Sequence, residues 1–291
     1  MPTWVIVILV IVIVIVVIGL VVTLIISRRP SYDQVCSELK RKMRRLHRRY
    51  DPDRDTANYI DIPVYYINLK RSPERNEAMI ERFNQYGVTN YMRIEGVNGD
   101  DDPSIRYRND FLFSMMTSGE IGCTLSHLRA IKTAYDNGLQ HVLIMEDDTG
   151  FDLVPLWNQS LSQLIQRAGK GWRVLQLYSN YDYRKISNSN FHLFSTDRDR
   201  RGCVAYIINR DGMRAVLDQA WDKDRFVLSS QYGKSGEADI YIYSLVGYDQ
   251  RYLTSLPLFI PFNIGATSTF HSHHDIDHMK QTIVCLDAYL G

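Results

Sequence analysis

The chain has 291 residues, a formal net charge of +1, and 45% hydrophobic residues. Behind an apolar N-terminus, about 230 residues remain, enough for one α/β domain with a sizeable core. The near-neutral net charge by itself predicts no partner. The cysteines have neither close pairs nor zinc-binding spacing. They are interpreted as small core residues or a free thiol, which favours a reducing compartment. They are Cys36, Cys123, Cys203 and Cys285.

An almost pure run of Val, Ile and Leu occupies residues 4–26. It is long enough to cross a bilayer, and it lacks the short apolar core and small-residue cleavage site of a signal peptide. The sequence therefore predicts a single uncleaved transmembrane helix in residues 1–27. A basic juxtamembrane stalk and linker would follow in residues 28–60, and the folded domain would span residues 61–291.

The charges on the two sides of this run are unequal. Only the amino terminus precedes it. The basic residues that follow are Arg28, Arg29, Lys40, Arg41, Lys42, Arg44, Arg45, Arg48 and Arg49. The positive-inside rule therefore places the domain in the cytosol. A luminal orientation stays open. Asn158 begins a glycosylation sequon that would matter only in a lumen, but one sequon in a chain of this length arises easily by chance.

Residues 32–49 predict a basic helix with one apolar face. That face consists of Val35, Leu39, Met43 and Leu46. The favoured interpretation is a helix that lies on anionic lipid, and the alternative is a solvated, charged stalk. Nucleic acid is not favoured, because few aromatic residues interleave the basic ones.

The apolar run at residues 64–69 predicts the first strand of the domain. Ser72 would cap the following helix, and Pro73 would take its first position, where a missing N–H does no harm. Residues 91–97 predict a second strand. The segment 100–103, three aspartates and a proline, lies among turn residues and is interpreted as a solvated loop.

The next helix has the clearest start and end signals in the chain. Thr117 and Glu120 have the spacing of a capping box, and Gly138 marks the end. The apolar face between them is Ile121, Leu125, Leu128 and Ile131. Residues 142–145 then form a short apolar run that predicts a strand covered on both faces.

Three carboxylates follow that strand directly. Alternation along a strand would point Glu146 and Asp148 to one side and Asp147 to the other. Because ligands bind at the carboxyl ends of strands in open α/β sheets, two carboxylates there predict an Mg²⁺ or Mn²⁺ site that could hold a diphosphate. The same residues are also typical of a helix N-cap and first turn, and the triplet alone does not decide.

Three blocks in this order, YYINLKRSPER, GEIGCTLSHLRA and VLIMEDD, resemble glycosyltransferase family 25. That family includes bacterial lipooligosaccharide galactosyltransferases and animal collagen β-galactosyltransferases. The resemblance extends over about residues 64–269 and is looser in its last third. The resemblance implies an α/β, GT-A-like fold with a central, mostly parallel sheet. It also implies that the protein binds a UDP-sugar, with UDP-galactose the favoured donor, and a divalent metal, with Mn²⁺ the favoured ion.

The matched blocks also imply donor-binding residues. These are Asn68, Arg71, Arg75, Gly119, Glu120, Ser126 and His127. Arginine side chains suit phosphate oxygens or a uracil edge, with surface solvation as the alternative. Ser126 and His127 would contact the donor or orient the metal ligands, and simple packing is the alternative.

The resemblance places the catalytic base and a third metal ligand near the C-terminus. Asp239 matches the family's acid ahead of apolar and aromatic residues, and it would deprotonate the acceptor hydroxyl in an inverting displacement. Glu237 is the second candidate, and first-turn helix acids are the alternative for both. His271 would complete the metal site of Glu146 and Asp148, whereas a solvated tail is the alternative.

The sequence therefore predicts a membrane-anchored hexosyltransferase. Its acceptor stays open among a lipid-linked glycan, a protein hydroxyl and a free sugar. Two other classes remain: a sugar-nucleotide- or glycan-binding membrane protein without catalysis, and a metal-dependent phosphohydrolase on an α/β sheet.

Overall fold

The structure is a computed structural model. It describes residues 2, 3, 11, 13–18, 30–51, 58–99, 107–109, 116–180, 183, 193–195, 201–229, 237–261 and 274–290. Most of the predicted membrane anchor falls outside these residues, although residues 13–18 are helical and exposed. Within the described ranges, no helix has the length and apolar character needed to span a bilayer. The anchor at residues 4–26 therefore stays a prediction.

Twelve strands and seven α-helices are described. The strands are β1 Val64–Asn68, β2 Tyr91–Glu95, β3 Tyr107–Asn109, β4 His141–Glu146, β5 Thr149–Gly150, β6 Val174–Gln176, β7 Leu193–Ser195, β8 Ala205–Asn209, β9 Trp221–Asp222, β10 Arg225–Leu228, β11 Arg251–Thr254 and β12 Ile260–Pro261. The helices are α1 Tyr32–His47, α2 Pro73–Gln85, α3 Ser118–Asp136, α4 Leu161–Ala168, α5 Arg210–Ala220, α6 Ala238–Val246 and α7 His274–Leu290.

The central sheet has the strand order β2-β1-β4-β8-β6-β11-β7. Strand β1 is parallel to β2 and β4, and β6 is parallel to β11. Strand β8 runs antiparallel between β4 and β6, and β7 runs antiparallel to β11. Five of the seven strands therefore point the same way. The predicted α/β class with a mostly parallel central sheet is confirmed.

Strand β4 lies near the middle of this sheet and is buried on both faces, as its continuous apolar run predicts. Val142 and Ile144 pack in a core with helices α3, α5 and α6. Leu143 and Met145 face the opposite core, which contains residues of α2 and α4. This double cover holds the carboxyl end of β4 in a fixed position.

Helix α3 forms as its sequence predicts. Thr117 Oγ1 accepts a hydrogen bond from the Glu120 amide at 3.2 Å, and Glu120 Oε2 accepts one from the Thr117 amide at 2.8 Å. Its apolar face is buried in the core. At the other end, Gly138 has φ +73, a left-handed conformation that favours glycine.

Helix α1 differs from the prediction of a stalk or a lipid-bound helix. Its apolar face is buried against α7, in a cluster that includes Met279 and Leu286. Lys42 pairs with Asp287, and Arg49 donates to the Leu290 carbonyl at 2.8 Å. An apolar face has to be covered, but the sequence of α1 does not say by what. The C-terminal helix, not lipid, covers it.

Candidate active site

A cavity of about 370 Å³ lies at the edge of the sheet where the parallel strands end. It lies between the N-terminus of α3, the acidic end of β4, and the residues that precede β8 and α6. Several predicted site residues line it: Arg75, Gly119, Glu120, Ser126, His127, Glu146, Asp148 and Asp239. The expectation of a site at the carboxyl ends of the strands is met by this placement.

The three carboxylates do not divide as strand alternation predicts. Strand β4 ends at Glu146, and Asp147 and Asp148 form the turn into β5. Asp147 Oδ1 and Asp148 Oδ2 lie 2.7 and 3.1 Å from Nη2 of Arg75. The alternation rule fails here because it applies only within a strand. Asp147 and Asp148 therefore share one guanidinium, and Glu146 points elsewhere.

Asp147 is nearly buried, and burial raises its pKa to about 7 although the charge of Arg75 opposes the rise. Asn68 holds this carboxyl by donating from Nδ2 to Asp147 Oδ2 at 2.7 Å. The remaining groups of Asn68 bond to the Ser72 carbonyl and to Arg93 Nε. Asn68 is thus buried and fully engaged, so it positions Asp147 and does not itself line the cavity.

The two predicted arginines have different positions. Arg75 lines the cavity, whereas Arg71 donates to Asn98 Oδ1 at 2.9 Å in an exposed contact outside the cavity lining. Arg201 also lines the cavity, where it pairs with Glu237 at 2.7 Å. Sequence reasoning missed Arg201, because it lies in the irregular segment before β8 and no periodic pattern marks it.

The start of α3 is brought to the cavity by a close backbone approach. A Cβ on Gly122 would lie 2.5 Å from the Val97 carbonyl oxygen, so glycine is required. Ser126 Oγ accepts from the Val97 amide at 2.8 Å and donates to the Gly122 carbonyl at 2.6 Å. Ser126 therefore joins the loop after β2 to α3 by hydrogen bonds. This role agrees with packing, the alternative to donor contact for this residue.

Glu146 lies among sulfur and nitrogen atoms. Its Oε1 lies 3.1 Å from Cys203 Sγ, 4.0 Å from Cys123 Sγ and 3.2 Å from His127 Nε2. Burial lowers the pKa of His127, but its hydrogen bonds to Cys123 and Glu146, together with their charges, outweigh burial and raise that pKa to about 9. Cys123 and Cys203 are free thiols packed against the core, as interpreted from the sequence, and tertiary folding also brings them together at Glu146.

Mn²⁺ and Mg²⁺ favour oxygen ligands. Glu146 is surrounded by two sulfurs and an imidazole, and Asp148 is bonded to Arg75. These surroundings do not fit a hard cation that Glu146 and Asp148 hold together. The third predicted ligand, His271, lies outside the described residues, so its assignment stays a prediction.

The candidate bases both lie at the start of α6 and line the cavity. Asp239 Oδ2 accepts from the Gly202 amide at 2.6 Å, and Oδ1 accepts from the Ile240 amide at 2.7 Å. Burial raises the pKa of Glu237, against the opposing charge of Arg201. Asp239 is thus held rigidly by two backbone groups, whereas Glu237 has a pKa above its ordinary value.

Comparison with known proteins shows one family. The sequence model described as "Glycosyltransferase family 25 (LPS biosynthesis protein)" matches residues 61–226, more than half of the chain. That span includes α3, the acidic end of β4 and both cavity cysteines.

Individual relatives match over shorter spans. A glycosyltransferase 25 family member of Drosophila pseudoobscura pseudoobscura is 37% identical over 115 residues, which cover 36% of this chain and 18% of the relative. A family member of Anopheles gambiae is 35% identical over 124 residues, or 38% and 21% of the two chains. Procollagen galactosyltransferase 2 of Homo sapiens is 29% identical over 101 residues, or 31% and 16%. The matches therefore cover about a fifth of the length of these relatives.

Proposed function

Because the chain belongs to glycosyltransferase family 25, we propose that it transfers a hexose from a UDP-sugar to an acceptor hydroxyl. One observation carries this proposal: the three sequence blocks typical of the family meet at a single cavity. Arg75 comes from the first block, His127 from the second and Glu146 from the third, and all three line it. The volume of about 370 Å³ lies within the range of small-ligand pockets. A GT-A-like fold is part of this proposal.

The donor diphosphate would bind between Arg75, Arg201 and the N-terminus of α3. The N-terminal residues of a helix present unpaired amides and a partial positive charge to anions. A guanidinium has five N–H donors, so Arg75 can keep its bonds to Asp147 and Asp148 and still bind a phosphate oxygen. Galactose is the proposed hexose, because one relative is named a procollagen galactosyltransferase.

The acceptor hydroxyl would be deprotonated by a carboxylate at the start of α6, and inversion would follow from direct displacement. We propose Asp239, because two backbone amides fix its position and each of its oxygens keeps a second lone pair. Glu237 is the alternative, since its raised pKa suits a base. Loss of transfer in Asp239→Asn but not in Glu237→Gln supports the first assignment, and the reverse supports the second.

Metal dependence and membrane attachment are separate parts of the proposal. Dependence on a divalent cation such as Mn²⁺ stays an expectation from the family resemblance, because Arg75 already pairs with both Asp147 and Asp148. Residues 4–26 would anchor the chain in a membrane, with the domain on the cytosolic side. Protease added to cells whose surface membrane alone has been made permeable tests this orientation, because a cytosolic domain is digested whereas a luminal one stays protected inside sealed vesicles.

The deciding experiment measures nucleotide release from a panel of nucleotide sugars, with and without Mn²⁺. The protein should begin at residue 30, because α1 packs against α7 and a shorter fragment would expose that face. UDP released from one donor supports the transferase and identifies that donor. Tight UDP binding without release, even with acceptors added, favours a sugar-nucleotide-binding protein. Release of inorganic phosphate instead of UDP favours a phosphohydrolase.

A further inference from the structure

Four of the side chains that line the cavity form a compact group of metal-binding atoms. They are Cys123, His127, Glu146 and Cys203, and one ligand atom from each lies within 4.8 Å of all the others. We propose that these residues bind one Zn²⁺ ion. The proposal goes beyond the transfer reaction and does not depend on it.

The fold brings the four residues together from three separate elements. Cys123 and His127 are one turn apart on α3, so their side chains project from the same face. Glu146 is the last residue of β4, and Cys203 comes shortly before β8, which pairs with β4 in antiparallel register. All three elements are anchored in the core, so the ligand atoms are held in place before any metal binds.

The distances suit a four-coordinate ion. Ligand atoms about 2.0–2.3 Å from zinc lie roughly 3.3–3.8 Å apart in a tetrahedron. The distances from Glu146 Oε1 to Cys203 Sγ, His127 Nε2 and Cys123 Sγ are 3.1, 3.2 and 4.0 Å. These three separations differ from the tetrahedral values by only a few tenths of an ångström, and the other three are at most 4.8 Å.

The donor atoms select the metal. Thiolate sulfur favours zinc and other soft ions, imidazole suits zinc, and Mg²⁺, Mn²⁺ and Ca²⁺ favour oxygen. Two thiolates and a carboxylate would also place three negative charges together, a cost that a divalent cation removes. Both cysteines are free in the structure. A set of four protein ligands is typical of a structural zinc site, which here would join α3 to β4 and to the segment before β8.

Tyr206 completes the arrangement behind the histidine. Its hydroxyl lies 3.1 Å from His127 Nδ1, and both side chains are fully buried. With Nε2 on the metal, Nδ1 carries the proton and donates a hydrogen bond to the Tyr206 hydroxyl oxygen. Such a contact fixes the ring orientation and the tautomer of a metal-binding histidine. Tyr206 would therefore be a positioning residue of the zinc site.

The test is the metal content of the full chain, purified in detergent with a thiol reductant and without added metal. Elemental mass spectrometry should find one zinc ion per chain. Cys123→Ala and Cys203→Ala should reduce this to below about a tenth, because each removes a ligand. Cys36→Ala is the matched control, since Cys36 lies on α1 outside the cluster, and it should keep the full zinc content.

A second measurement covers the case in which the cysteine variants do not fold. Wild-type protein stripped by a chelator should take up one Co²⁺ and develop the intense visible bands of a thiolate-bound tetrahedral ion. Tyr206→Phe, which keeps the ring, should weaken zinc binding by about tenfold. The proposal is overturned if the reduced wild type neither contains nor takes up zinc, or if copper or iron occupies the site. A disulfide between the two cysteines in the protein as isolated from cells would also overturn it.

These readouts are independent of sugar transfer. Zinc without nucleotide release would leave the site established and count against the transferase. Nucleotide release from a zinc-free protein would support the transferase and count against the zinc site.

Discussion

Replacing Leu46 by Ala is expected to lower the free energy of unfolding by about 3–4 kcal/mol. Leu46 is 0% exposed and packs in the cluster between α1 and α7. The change removes three carbons, worth about 0.8 kcal/mol each when buried, and the remaining cavity adds to this loss. A stalk or a lipid-bound helix would lose almost nothing in solution, so this single substitution separates the interpretations of α1.

The assay is urea unfolding of the chain from residue 30 onward, followed by far-ultraviolet circular dichroism. The midpoint should fall with little change in the slope, since the surface exposed on unfolding hardly changes. Arg45→Ala is the control: it is the preceding residue, is exposed, and should shift stability by less than about 0.5 kcal/mol. If Leu46→Ala costs less than about 1 kcal/mol, the packing of α1 against α7 is refuted.

Three further substitutions test the site. Gly122→Ala should destabilise the protein by about 1–3 kcal/mol in urea, because the new Cβ meets the Val97 carbonyl at 2.5 Å, whereas an uncrowded helix would gain stability from the same change. Asn68→Ala should cost about 1–3 kcal/mol in thermal unfolding, since the buried Asp147 carboxyl loses a donor, and an unchanged melting temperature would contradict a positioning role. Arg75→Met should cost about 3–5 kcal/mol at pH 8 because two carboxylates lose their cation. The cost should be smaller at pH 5, where Asp147, with its pKa raised to about 7, is protonated in the folded state, and an equal cost at both pH values would contradict this explanation.

Features that depend on neighbours in the chain were predictable. The capping box of α3, its apolar face and its glycine end agree with the sequence prediction, because hydrogen bonds between residues three apart and contacts one turn apart are local. The double burial of β4 followed from its unbroken apolar run. The same local blocks, in order, indicated the family and the edge of the sheet where the cavity lies.

Features that depend on residues far apart in the sequence were not predictable. Glu146 turns toward the thiols and not toward Asp148, because the strand ends there and Arg75 draws the next two carboxylates away. Asn68 is used inside the protein to hold one of those carboxylates. Neither fact follows from a periodic pattern, since each depends on which side chains the fold places opposite one another.

The sequence by itself therefore determined the α/β class, the principal helix and strand at the site, and membership of glycosyltransferase family 25. Only the tertiary structure decided that α7 covers α1 and that Cys123 and Cys203 meet at Glu146. The physical reason is the distance along the chain over which each interaction acts. Hydrogen bonds along a helix and the periodicity of apolar residues act between neighbours in the chain, whereas these contacts form only when the packing of the whole core brings distant segments together.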